Sequence, residues 1–174
     1  VAVLFSQNSP GNLQPEDDMN FSFKELLYSR VHRILKPIDS VRLGSAPDWI
    51  ELFNFYADVI KGEEEIIAVY DNQQDVRSNL IFTTEGLHFY SERWIFIDYA
   101  DMESVHVDAN DASSKTKADT VILAVRDIRF RVQVLGGEGQ FRDVYEISRF
   151  LSRVSSDKRR YAGGQRANEA EKKS

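Results

Sequence analysis

Residues 121–154 read VILAVRDIRFRVQVLGGEGQFRDVYEISRFLSRV, and a change of period inside that stretch decides the fold. Val121, Leu123 and Val125 fall on one face of an extended chain. After a tight turn at Arg126-Asp127, Ile128, Phe130, Val132 and Val134 share a face as well, with Arg129, Arg131 and Gln133 opposite. A slip in register would bury the arginines, so the alternation itself fixes the pairing. Beyond the turn glycines Gly136 and Gly137 the period becomes helical: Phe141, Val144, Tyr145, Ile147, Phe150, Leu151 and Val154 line one stripe. A sheet that ends in a helix with one apolar stripe implies a partly open barrel with the helix as its plug.

Upstream, the same alternation marks further strands at Ile66–Tyr70, Leu80–Thr83, Leu87–Tyr90, Trp94–Tyr99 and Ser104–Val107, with a hairpin turn at Thr84-Glu85-Gly86. The polar runs Asp71–Ser78 and Asp108–Asp119 read as loops. The second has no apolar residue larger than alanine and is expected to be mobile. Two helical patterns precede the strands. Phe23, Leu26, Leu27, Val31, Ile34 and Leu35 share a face before Pro37, and a second helix is expected from the Ser45-Ala46-Pro47-Asp48 start to Gly62. The second carries a wide stripe that includes Trp49, Phe53, Tyr56 and Ile60, which must be buried against the sheet, the first helix or another copy of the chain. The expectation is an α+β fold: an antiparallel barrel or sandwich of about seven strands, closed by a C-terminal helix and preceded by two N-terminal helices. Its divisions are a flexible tail over 1–20, a helical segment over 21–61, the sheet-and-helix domain over 62–155 and a flexible basic tail over 156–174.

The strand and helix pattern resembles the pleckstrin-homology-like (PH-like) domains of bacteria. The residues that carry the resemblance are the opening Glu63-Glu64-Glu65-Ile66, the hairpin from Leu80 to Leu87, the stretch from Ile97 to Val105, and the helix from Phe141 to Val154. The resemblance implies a binding or assembly module without catalytic activity or cofactor. Lipid-binding members hold inositol phosphates with basic residues in the loop between the first two strands. Here that loop, Asp71–Ser78, has Arg77 against Asp71 and Asp75, so the sequence departs from the family where a charged head group would need several donors.

A net charge of -6 argues against broad nucleic-acid binding, which requires clustered cations. The chain has no cysteine, so disulfides and thiolate metal sites are excluded, and a cytoplasmic setting is the default expectation. Val1–Phe5 is too short for a signal-peptide core, and a chain that begins with Val is open to being a fragment. His88 and His106 fall on strands, where they would need a shared face with Asp98 or Asp108 to hold a metal or a catalytic water. Gly136-Gly137-Glu138-Gly139 lacks the Lys-Ser/Thr of a phosphate loop, and Asp108-Ala109-Asn110-Asp111 lacks the glycine and glutamate of a calcium loop.

The candidate binding residues are therefore Trp49, Phe53 and Tyr56, as aromatic anchors for a protein partner or a second copy, and Arg126, Arg129 and Arg131, which would receive an acidic peptide or phosphate. Three alternatives stand beside this protein-binding reading. They are attachment to an anionic membrane through the basic tail and outward arginines, a metal-dependent enzyme built on His88 and His106, and a toxin-neutralising role for an acidic protein.

Overall fold

The computed structural model describes residues 22–44, 50–60, 62–109, 118–135 and 141–171. Helix α1 (Phe23–Arg30) starts at a capping box in which the Ser22 hydroxyl accepts from the Glu25 N–H and the Glu25 carboxylate accepts from the Ser22 N–H. It continues as a π-helical turn over Val31–Leu35, so the first predicted helix is present. Its stripe of Leu27, Val31, Ile34 and Leu35 is buried. Strand β1 (Val41–Leu43) follows, and helix α2 covers Ile50–Ala57, while the predicted start of that second helix lies outside the described residues.

All seven predicted strands are present. They are β2 (Ile66–Tyr70), β3 (Leu80–Thr83), β4 (Gly86–Ser91), β5 (Arg93–Asp98), β6 (Ser104–Val107), β7 (Thr120–Val125) and β8 (Ile128–Gln133). Two antiparallel sheets result, a five-stranded one in the order β1-β2-β3-β4-β5 and a three-stranded one in the order β6-β7-β8. The hairpin of β7 and β8 has the register the alternation demands, Val125 opposite Ile128 and Leu123 opposite Phe130. Arg126 makes the turn with φ 53, a left-handed conformation uncommon outside glycine. At the β3–β4 hairpin Gly86 is required for another reason. A Cβ there would stand 2.2 Å from the Ile97 carbonyl oxygen, so only glycine lets β4 and β5 approach.

Helix α3 (Phe141–Glu171) closes the structure. Val144, Ile147, Phe150, Leu151 and Val154 are buried in one cluster with Tyr70, Phe82, Leu87 and Phe89 of the first sheet and Val121, Leu123 and Val132 of the second. Phe150 stands edge-on to Phe82 at 5.4 Å and to Tyr99 at 6.4 Å, the preferred aromatic geometry. Each such side chain contributes about 1.5–3 kcal/mol of burial, so the plug organises the interior.

The structure also departs from the sequence expectations. Tyr145 lies off the buried stripe and is 37% exposed, and Ile128, at the turn end of the edge strand β8, is 58% exposed. The α3 helix does not stop at 155. Asp157 accepts from Arg30 at 3.0 Å, Arg159 donates to the Met102 carbonyl, and the Tyr161 ring lies 6.4 Å from that of Phe23. Lys158 binds Glu85 at 2.8 Å and Asp98 at 3.0 Å. The N-terminal helix and the helical extension therefore clasp each other on one side of the sheets. The expected flexible segment at 1–20 and most of the expected mobile loop, 110–117, lie outside the described residues. Among the described residues no helix is long and apolar enough to cross a membrane.

Candidate functional site

Alternation gives the five-stranded sheet two apolar faces. The inner one meets α3, and α2 covers part of the outer one. Tyr56 of α2 is fully buried on Val69 and Ile81, with Val59, Ile60, Ile66 and Trp94 around it. Its hydroxyl donates to the Val76 carbonyl at 2.6 Å and accepts from the Asn79 amide at 3.0 Å. Burial pushes the phenol up to about 12, with the Asn79 hydrogen bond acting against the shift.

Asn72 extends this polar seam to the second sheet. Its side-chain amide donates to the carbonyls of Ser78 and Gln133, and its oxygen accepts from the Leu135 N–H at 2.6 Å. The Asn72 N–H in turn donates to the Asn79 side-chain oxygen at 3.0 Å. Thus Asn72, Asn79 and Tyr56 tie α2, the β2–β3 loop and the end of β8 together.

Beyond α2 the outer face carries aromatic rings. The β4–β5 register sets Tyr90 opposite Trp94 and His88 opposite Phe96, so all four side chains share that face. Phe55 is 45%, Phe96 44% and Tyr90 38% exposed, with Trp94 half-buried between them. The rings form a chain of edge contacts, Phe55 to Tyr56 at 5.3 Å, Tyr56 to Trp94 at 5.9 Å and Trp94 to Tyr90 at 5.6 Å. Phe96 covers the buried His88 at 4.7 Å, and beneath it His88 Nε2 lies 2.9 Å from a Glu64 oxygen that also accepts from the Thr83 hydroxyl at 2.7 Å. The carboxylate stands between the hydroxyl and the imidazole, so this is not the order of a nucleophilic triad, in which the imidazole takes the hydroxyl proton.

A cleft of about 500 Å³ opens between the sheets, with Leu80, Phe89 and Val132 on its floor and Arg77, Arg131 and Asp75 among its lining. The Arg77 guanidinium lies over Tyr90 at 5.7 Å, and Arg131 pairs with Asp108 at 2.6 Å. The loop that departs from the phosphoinositide pattern in sequence thus contributes a single arginine, held against a ring.

Of the candidate residues, Tyr56 belongs to the interior, because α2 turns it onto the chain's own sheet. Trp49 and the side chain of Phe53 lie outside the described residues. Arg131 lines the cleft, whereas Arg126 occupies the β7–β8 turn and Arg129, though on the outward face, is not part of the lining. His88 and His106 are on different sheets, and the carboxylates considered for them are engaged elsewhere, Asp98 by Lys158 and Asp108 by Arg131. The sequence alone did not single out Phe55, Tyr90, Trp94 and Phe96. The available signal was the tight Ser91–Arg93 turn, which fixes the cross-strand pairs.

No family model and no curated protein matches the chain. Among solved structures it is similar to a DUF1696 family protein with a pleckstrin-homology domain from Shewanella loihica PV-4. That similarity amounts to 15% identity and a TM-score of 0.42, covering 60% of this chain and 91% of that one. The architecture itself is α+β, two antiparallel sheets packed with a C-terminal helix.

Proposed function

We propose that the chain is a non-catalytic interaction module of pleckstrin-homology-like architecture that docks a protein partner through the outer face of β4 and β5. The observation that carries this reading is that Tyr90, Trp94 and Phe96 share one face of β4 and β5, with Phe55 joined to Trp94 through Tyr56, and that Phe55, Tyr90 and Phe96 are between 38% and 45% exposed. Aromatic side chains are the usual anchors of protein interfaces, and an isolated chain gains nothing from leaving them in water. The α3 stripe fills the core shared by the two sheets, and the outer face of β4 and β5 is left for contacts with other molecules.

The other readings have less support. Of the cations an anionic membrane would need, Lys158 and Arg159 are engaged by the body of the chain, and Arg131, though exposed, is paired with Asp108; Arg126 and Arg129 are exposed and remain for that reading. A metal-dependent enzyme would require His88 and His106 together, and a toxin-neutralising role rests on net charge alone.

The full chain is compared with its Tyr90→Ser/Phe96→Ser variant by sedimentation velocity and as bait for binding proteins. Self-association, or a bound protein, that is present with the native chain and lost with a folded variant is the expected result. Equal behaviour of the two would reject the aromatic face as the docking surface.

A further inference from the structure

Strand β8 lies at the edge of its sheet, and its register with β7 fixes which way its main chain faces. The Val134 N–H donates to the Asp119 carbonyl at 2.7 Å, and bonded pairs alternate along an antiparallel ladder. Val132, Phe130 and Ile128 therefore direct their main-chain groups to β7, and those of Gln133, Arg131 and Arg129 point the other way. The Gln133 carbonyl is in use on that side, accepting from the Asn72 amide at 3.2 Å. Among the described residues no strand lies beside the same groups of Arg131 and Arg129.

This edge runs along the cleft between the sheets, which Arg131, Val132 and Gln133 line together with Leu80 and Phe89. On the inner face of β8 Val132 is buried, and the Phe130 ring stands edge-on to Phe89 at 5.9 Å. On the outer face Arg129 is exposed, and Arg131 pairs with Asp108 through one nitrogen while its side chain stays 66% exposed. A strand laid against β8 meets apolar groups on one face and guanidinium groups on the other. A second copy of β8 is a poor occupant, because antiparallel pairing of the two edges would set Arg129 of one against Arg131 of the other.

We infer that the β8 edge binds an extended segment of a protein partner in which acidic and apolar residues alternate. The segment adds as an antiparallel fourth strand to the second sheet and exchanges main-chain hydrogen bonds with Arg129 and Arg131. Its acidic side chains stand opposite those two residues and pair with them, and its apolar side chains turn toward Phe130, Val132 and the floor of the cleft. The site is separate from the outer face of β4 and β5.

The test titrates the isotope-labelled full chain at low salt with an end-blocked Glu-Val-Glu-Val-Glu peptide, followed by amide resonances. Shifts and slowed hydrogen exchange at Arg129 and Arg131 are expected, with no binding of Lys-Val-Lys-Val-Lys. Methylating the peptide's glutamate nitrogens, which face β8, abolishes binding, and methylating its valine nitrogens does not. The surface change Arg129→Gln weakens binding roughly two- to fivefold, the worth of one cross-strand ion pair. Absence of shifts at Arg129 and Arg131, equal binding of the lysine peptide, indifference to methylation of the glutamate nitrogens, or an Arg129→Gln variant that binds as the native chain does would overturn the inference. So would shifts confined to Tyr90, Trp94 and Phe96, which would assign the peptide to the aromatic face instead.

Discussion

Replacing Asn72 by alanine removes the side chain that joins the β2–β3 loop to the second sheet. The amide serves three main-chain groups, the Ser78 and Gln133 carbonyls and the Leu135 N–H. A buried donor left without a partner costs about 1–3 kcal/mol, and carbonyls, with two lone pairs, tolerate the loss better. Asn72 is 2% exposed but also lines the cleft, so water can reach part of the vacated site. The Leu135 N–H therefore dominates, and the net loss is about 2–4 kcal/mol. Asn72→Asp is the informative companion. It keeps an acceptor for Leu135 but sets a negative charge against two carbonyls, so at neutral pH it should be at least as damaging as alanine. Urea unfolding followed by tryptophan fluorescence measures both. A loss below about 1 kcal/mol for alanine, or an aspartate variant as stable as the native chain, would refute the view that this amide fastens the sheets together.

Gly86→Ala forces a Cβ against the Ile97 carbonyl and, at 2.6 Å, the Phe96 ring, so a loss of at least ~2 kcal/mol and shifted β4–β5 amide resonances are expected. Tyr56 titrates near 12 in the folded chain against about 10 unfolded, so the unfolded state releases its proton first. Its contribution to stability is whole below pH ~10 and is lost as pH rises through about 12. Tyr56→Phe should flatten that alkaline loss in a pH series of urea midpoints. The isolated fragment 62–155 should lack cooperative unfolding, because it omits Leu27, Val31 and Leu35 from the core together with the Arg30–Asp157 pair. Calorimetry of the fragment beside the full chain checks this.

The strands were legible because each buries one face and so writes a period of two into the sequence, and the closing stripe of α3 was legible for the equivalent helical reason. Strand β1 was not, since Val41-Arg42-Leu43 is too short for alternation to stand out, and its pairing with Tyr70 and Ala68 is set from a distance. The continuation of α3 beyond Val154 left no apolar stripe to read. It is held by Lys158, Arg159 and Tyr161, whose partners are remote in sequence. Tyr56 shows the limit for function. A wide aromatic stripe says that a helix face must be covered, and only the tertiary structure says that the cover is Val69 and Ile81 of the same chain. Conversely, Phe96 and Tyr90 look like ordinary strand residues until the register sets them with Trp94 on the face that α2 only partly covers.

The central claim is that α3 fills the interior and that the working surface lies outside, on β4 and β5. Paramagnetic relaxation of aromatic side-chain resonances by a soluble gadolinium chelate, with the protein dilute enough to be monomeric, tests both halves together. Strong relaxation of Phe55, Tyr90 and Phe96 with little effect on Phe82, Tyr99 and Phe150 is the expected pattern. Relaxation of Phe150 comparable to that of Phe96, or protection of Phe96 in the monomer, would contradict the account.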